Sequence, residues 1–274
     1  MIAIKSTNLY ESKGQQVKHV IQPVISIITV VFNGEEYIEE TILSISTQKH
    51  SDIEYIIIDG GSSDGTIDII AKYNNVIDCW ISEPDKGVYD AMNKGVSLAN
   101  GQYVSFLNAS DMYYPDSLNM IIESLKSDDF DYSVAPVDIL SSSGSQLFTL
   151  YPIENFVYKK GSYMQMPAPH LSVFLKRKLF QDLGGYDLSF PLSADLDLLL
   201  RLAQKSNNVI TIKKPIGAFK LGGISGSYGT YIDNFKVMKK HQLHWLINCQ
   251  KTLFYLIKWC ISLMLPRNLI KKLR

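Results

Sequence analysis

At 274 residues the chain has room for one large domain with appended segments, and it can bury a core without disulfide or metal staples. Its 27 Lys and Arg balance 27 Asp and Glu, which excludes the basic excess of a dedicated nucleic-acid binder, so no nucleic acid is expected as a partner. The three cysteines, Cys79, Cys249 and Cys260, are too few and too irregular for a disulfide framework or a metal cluster and fit a reducing, cytoplasmic setting.

Residues 1–22 are mixed, weakly patterned and without the apolar run of a signal peptide, and they read as an extension. Val24–Val31 is an apolar, β-branched run expected of a strand buried on both faces. Glu35–Thr47 has Ile38, Ile42 and Ile45 at helical spacing. Strands over Tyr55–Ile58, Cys79–Ser82 and Tyr103–Leu107 then alternate with helices over Thr66–Tyr73 and Val88–Leu98. That alternation predicts βαβ units and an α/β fold with a mainly parallel central sheet. Right-handed crossovers put the strand C-termini along one edge, where ligands of such sheets bind.

Beyond Pro115 a helix is predicted to about Lys126. Strands follow over Tyr132–Asp138 and Gln146–Tyr151, around a Ser/Gly turn at Ser141–Ser145. Residues 161–169 read as a loop, Ser172–Leu175 as a strand, and Arg177–Leu183 as a short helix ended by Gly184-Gly185. Ala194–Ala203 reads as a helix, Val209–Ile212 and Pro215–Lys220 as strands, and Gly222–Gly229 as a loop.

Polar residues gather at the predicted strand ends. In Ile58-Asp59-Gly60-Gly61-Ser62-Ser63-Asp64-Gly65-Thr66 a strand ends in an acid and a Gly/Ser turn opens a helix. An exposed carboxylate there can accept hydrogen bonds from a nucleobase or a ribose, although the spacing is neither a dinucleotide fingerprint nor a Walker A loop. In Ser82–Gly95, Asp85, Lys86 and Gly87 form a charged turn before a helix, and a helix N-terminus with a lysine suits anionic phosphates. In Phe106–Asp111 a strand ends near a carboxylate able to hold a hard divalent cation together with two phosphates.

These segments, in this order, resemble the family 2 glycosyltransferases of the GT-A fold over about residues 24–220. The opening Ile27–Asn33 with Tyr37-Ile38 is similar to the start of that family, and Asp59–Thr66 looks like its base-binding motif. The run Glu83–Asn93 and Pro169-His170 look more like a bacterial exopolysaccharide and colanic-acid-type subgroup. The resemblance implies that Thr29, Val31 and Asn33 lie near the nucleotide base, that Asp59 contacts it, and that Asp111 binds Mg²⁺ or Mn²⁺. Relatives often carry acids where this chain has Asn108 and Ser110, residues that can still bind through oxygen or water. In Ser193–Arg201 the family's acid pair is reduced to Asp195, preceded by Ala194, and Asp195 matches the general base of a single, inverting displacement. Asp197 points about 200° away from Asp195 on a helix, so it or Arg201 is expected to hold the motif in place. His170 reads either as a loop histidine with a backbone partner or as a group at the donor phosphate or acceptor.

The domain reading is an extension over 1–22, a catalytic domain over 23–227 and C-terminal amphipathic, basic helices over 228–274. The catalytic domain divides into a nucleotide-sugar half over 23–111 and an acceptor half over 112–227. Within the tail, Thr252–Leu265 is almost wholly apolar and flanked by Lys251, Arg267, Lys271, Lys272 and Arg274, too short to span a bilayer. It suits either an anionic membrane surface or packing on protein, the former implying a peripheral protein at the inner face of the plasma membrane. The expected partners are a nucleotide-sugar donor, with UDP foremost, and a glycan or polyprenyl-diphosphate-linked acceptor. The rival reading is a non-catalytic sugar-nucleotide or glycan-binding subunit.

Overall fold

A computed structural model describes residues 22–153, 166–220 and 228–243. The first half alternates strand and helix: β1 (Ile25–Val31), α1 (Ile38–Ser46), β2 (Ile53–Asp59), α2 (Thr66–Lys72), β3 (Cys79–Ser82), α3 (Val88–Leu98) and β4 (Tyr103–Phe106). A two-residue β5 (Met112–Tyr113) and α4 (Ser117–Ser127) follow, then β6 (Tyr132–Val134), β7 (Val137–Leu140) and β8 (Gln146–Leu150). A single 3-10 turn at His170–Ser172 precedes β9 (Phe174–Lys176), α5 (Arg177–Asp182), α6 (Ala194–Lys205), β10 (Val209–Thr211), β11 (Gly217–Lys220) and α7 (Tyr228–Lys240).

The main sheet has seven strands in the order β10-β6-β9-β4-β1-β2-β3, parallel except for β9, which runs antiparallel to both neighbours. The chain builds β2 and β3 on one side of β1 and then returns to lay β4 on the other. The order therefore reverses between β1 and β4, the position at which open α/β sheets form a crevice beyond the strand ends. Register brings Val31 opposite Asp59, and Asp59 opposite Ser82, along that edge.

All seven residues of β1 and of β2 are buried, and alternation sends them to two separate cores. Ile28, Val30, Ile56 and Ile58 join α3 and α6 on one face, whereas Ile25, Ile27, Ile53 and Ile57 join α1 and α4 on the other. Each fully buried isoleucine contributes roughly 1.5–3 kcal/mol.

One sequence expectation changes. The strand expected over Tyr132–Asp138 is two strands in different sheets: β6 belongs to the main sheet, while β7 joins β5-β11-β7-β8. Pro136 lies between them, with no amide hydrogen to continue a ladder. At residue 228 a helix begins, α7, which packs on α6, and Leu243 lies buried in the core. The extension over 1–21 and the apolar run Thr252–Leu265, with Cys249 and Cys260, fall outside the described residues. No helix among the described residues is long and apolar enough to cross a membrane.

Candidate functional site

The carboxyl edge of β1 and β2 is closed by a latch between two loops. Asp59 was expected to present an exposed carboxylate, and the structure corrects this, for the residue is fully buried. Its Oδ2 accepts from the amides of Gly61 (3.0 Å) and Ser62 (2.9 Å) and from the Ser82 hydroxyl (2.6 Å), while Oδ1 accepts from the Ser62 hydroxyl. A carboxylate surrounded by four donors shapes the Gly60–Ser63 turn and has no free oxygen to offer. Asn33, held at φ +48°, closes the latch from β1: its amide donates to Ser62 Oγ (2.7 Å) and its Oδ1 accepts from the Ser63 amide (2.9 Å).

Thr29 and Val31 turn inward. Thr29 Oγ1 accepts from the buried Tyr55 hydroxyl at 3.2 Å, and Val31 packs in the core beneath α1. The side chain left outside is Phe32, 64% exposed. Sequence reading passed over it, although an aromatic directly after a seven-residue buried strand is the signal to look for. A Cβ added to Gly60 would lie 3.4 Å from the Phe32 ring and 2.7 Å from Asp85 Oδ2. The bare glycine therefore leaves a shallow cradle between an aromatic face and a carboxylate.

The α3 N-terminus, expected to receive phosphates, is already furnished with acids. Asp85 Oδ1 accepts from the Gly87 amide (2.7 Å), and Asp90 Oδ2 accepts from the Lys86 amide (3.0 Å). Lys86 is exposed and has no ion-pair partner among the described residues. It is the group at this turn available to an anion.

Beyond β4, Asn108 Oδ1 and Asp111 Oδ1 are both buried without a hydrogen-bond partner among the described residues. Buried orphan oxygens are rare, since each carries a desolvation cost. Ser110 between them is held at φ +95°, its amide donating to Thr41 Oγ1 (3.0 Å), while that hydroxyl donates to the Asp111 carbonyl (2.8 Å). Burial pushes the Asp111 carboxyl up to about 8, against the opposing pull of Lys220. A hard cation would relieve this arrangement: two oxygens would come from the protein, and phosphates and water would supply the rest, as is usual for Mg²⁺. Asn108 and Asp111 thus fit a divalent ion, although no cluster of three or more acidic, His or Cys ligands occurs among the described residues.

Asp195 opens α6 and stands across an aromatic group from β4. The Tyr89 hydroxyl donates to its Oδ1 at 2.9 Å, and the Leu196 amide donates to the same oxygen at 2.8 Å. No protein donor reaches Oδ2 among the described residues. His170 stacks on Phe106, with ring centres 5.7 Å apart, and shares a 2.9 Å hydrogen bond with the Tyr186 hydroxyl. Burial lowers the His170 imidazole below its usual value, more than the Asp195 charge raises it, so it is neutral at pH 7. Phe106, His170, Tyr186 and Asp195 line one cavity of about 10 Å³. A larger cavity of about 270 Å³ lies along α6 between Tyr132 and Thr211, and Leu199 lines both.

Asp197 faces the other way. Its Oδ2 pairs with Arg201 (2.8 Å), and its Oδ1 meets Lys240 at the end of α7 and His241 just after it (2.8 Å each). Arg201 in turn donates to the carbonyls of Leu183 and Gly185. Asp197 thus pairs with Arg201 within α6 and ties α6 to the end of α7, on a different side of the helix from Asp195.

The chain matches the model of "Glycosyl transferase family 2" over residues 26–180. It is 33% identical over 187 residues to an uncharacterized glycosyltransferase of Mycobacterium tuberculosis, a match covering 66% of this chain and 69% of the relative. A PGL/p-HBAD biosynthesis glycosyltransferase of Mycobacterium bovis is 31% identical over 183 residues, covering 65% and 69%. Among solved structures, Staphylococcus aureus TarS 1–349 in complex with UDP is similar in fold, with TM-score 0.60 and 16% identity over 85% of this chain and 70% of that one. The mannosyltransferase PcManGT of Pyrobaculum calidifontis, in complex with GDP-Man and Mn²⁺, gives TM-score 0.59 at 16% identity over 80% and 63%.

Proposed function

The chain belongs to glycosyl transferase family 2, and from that premise we propose that it is an inverting hexosyltransferase using a UDP-sugar, with Asp195 as its general base. The observation that carries this reading is the state of Asp195: one oxygen is held by Tyr89, and the other has no donor among the described residues. The acceptor hydroxyl gives its proton to Oδ2 as its oxygen bonds to the anomeric carbon. The bond from that carbon to the diphosphate oxygen breaks on the opposite face. A positioned carboxylate in this role contributes roughly 10²–10⁴-fold.

The UDP preference is supported by the TarS complexes with UDP and with UDP-GlcNAc, which have this fold. Asn108 and Asp111 would hold the divalent cation, which when bound neutralises charge on the leaving diphosphate. Phe32 would flank the base, Lys86 would meet a phosphate, and Asp59 and Asn33 act by shaping the loop. A glycan or polyprenyl-diphosphate-linked acceptor of surface polysaccharide synthesis, met at the cytoplasmic face of the membrane through the basic, apolar tail, completes the proposal.

The test is release of nucleoside diphosphate from UDP-, GDP- and dTDP-sugars, with Mn²⁺ and with chelator, by wild type and Asp195→Asn. Mn²⁺-dependent release from a UDP-sugar, lost in D195N, is expected. Donor binding without turnover, with membrane-lipid acceptors present, would favour a binding subunit instead.

A further inference from the structure

The run Val88-Tyr89-Asp90-Ala91-Met92-Asn93 on α3 stands apart in the sequence, and donor binding at Asp85 and Lys86 leaves it unexplained. Tyr89 and Asn93 are four residues apart, so they share one face of the helix. That face meets the segment leading into α6. Asn93 Nδ2 donates to the Tyr186 carbonyl (3.0 Å), and Asn93 Oδ1 accepts from the Tyr186 amide (2.9 Å). Both backbone groups of one residue are thus clamped by one amide side chain. One turn earlier, the Tyr89 hydroxyl reaches Asp195 Oδ1, and the Tyr89 and Tyr186 rings pack with centres 5.0 Å apart.

We infer that Tyr89 is a positioning residue for the base: its hydroxyl fixes the Asp195 carboxylate so that Oδ2 faces the acceptor, while Asn93 sets the distance between α3 and the segment before α6. The inference rests on Asp195 being the base. Two observations support it. Asp195 belongs to α6 and Tyr89 to α3, which starts at the phosphate-facing turn, so the hydrogen bond ties the two halves of the site together across 106 residues. Among the described residues, the hydrogen bonds to the Asp195 carboxylate fall on the same oxygen, which leaves Oδ2 for proton transfer. The titratable groups facing Asp195 are Tyr89 from α3, His170 from the 3-10 turn and Tyr186 from the loop before α6, with Arg201 acting on Tyr186 from α6. Burial, and then the Asp195 charge, push the Tyr89 hydroxyl far above its ordinary value, so it remains a donor throughout the working range.

Tyr89→Phe removes one oxygen and keeps the ring packing. On full-length protein, kcat for diphosphate release from the UDP-sugar is expected to fall about tenfold or more, with the donor KM within twofold. The split between a lowered kcat and an unchanged donor KM separates positioning of the base from donor binding. Asn93→Ala serves as the structural comparator, expected to lower Tm, whereas Y89F keeps its ring packing and a Tm near wild type. Wild-type kcat in Y89F, or a loss of kcat that only follows a loss of Tm, overturns the inference. Activity surviving in D195N refutes the base assignment itself, so the two failures are distinguishable.

Discussion

Asp195 and Asp197 lie two positions apart on α6 and have opposite surroundings. Asp195 meets the neutral hydroxyl of Tyr89 and keeps one oxygen open, whereas Asp197 is fully buried among Arg201, Lys240 and His241. The first environment suits proton transfer, and the second suits holding two helices together.

Asp195→Asn should therefore lower kcat by about 10²–10⁴-fold, the usual worth of a general base. The donor KM and the Tm should stay near wild type. Steady-state kinetics on the donor that wild type accepts measure the first pair, and thermal unfolding the last. A D195N enzyme within tenfold of wild type would remove Asp195 from the chemistry.

Asp197→Asn should instead cost stability, about 3 kcal/mol, because it leaves Arg201 and Lys240 facing an uncharged partner in a buried site. Burial raises the Asp197 carboxyl, but His241, Lys240 and Arg201 together overcome this and hold it at about 2, below the ordinary 3.8. A depressed folded value means that the contribution is present in full above about 4 and is lost as pH falls toward 2. Thermal unfolding of both proteins from pH 7 to pH 2 should show their Tm gap narrowing below pH 4. A constant gap would exclude the charge as its origin.

Phe32→Ala should weaken UDP binding about tenfold, in line with ~1–3 kcal/mol for stacking a base on an aromatic ring. Fold stability should hardly change, since the ring is exposed. Calorimetric titration with UDP checks this. Unchanged affinity would assign the base to a different surface.

Asp111→Asn should reduce Mn²⁺ affinity at least about tenfold in the presence of UDP, with a smaller loss in Asn108→Ala, as neutral oxygen binds a cation less strongly than carboxylate. Electron paramagnetic resonance of free Mn²⁺ reports both. Full affinity in D111N would place the ion elsewhere.

Gly185→Ala should destabilise the fold by about 1–2 kcal/mol. Gly185 has φ +70°, a region costly for residues with a Cβ, and that Cβ would sit 2.8 Å from Asn93 Oδ1, within the clamp on Tyr186. Denaturant unfolding measures the loss, and a neutral substitution would show that the clamp tolerates displacement.

The α/β class, the strand-helix alternation and the edge carrying the polar residues were all legible, because β-branched runs and helical spacing are local properties. β3 and α3 fall where periodicity put them. That Asp195 and Asp197 face different surroundings was also legible, since helix geometry separates residues two apart. Asp59 was not. A carboxylate after a strand reads as exposed, but its burial depends on Ser82, which adjoins it through strand pairing 23 residues away. Phe32 was missed because a phenylalanine after a buried run resembles more of that run.

By itself, then, the sequence determined the elements, their order and the residue types available at the sheet edge, since these follow from patterns only a few residues long. Only the tertiary structure decided which of those residues present free atoms. It turned Asp59 and Asn33 into a latch and left Asn108 and Asp111 with unmatched oxygens. It also brought Tyr89 to Asp195, because hydrogen-bond satisfaction depends on neighbours that sequence distance does not reveal.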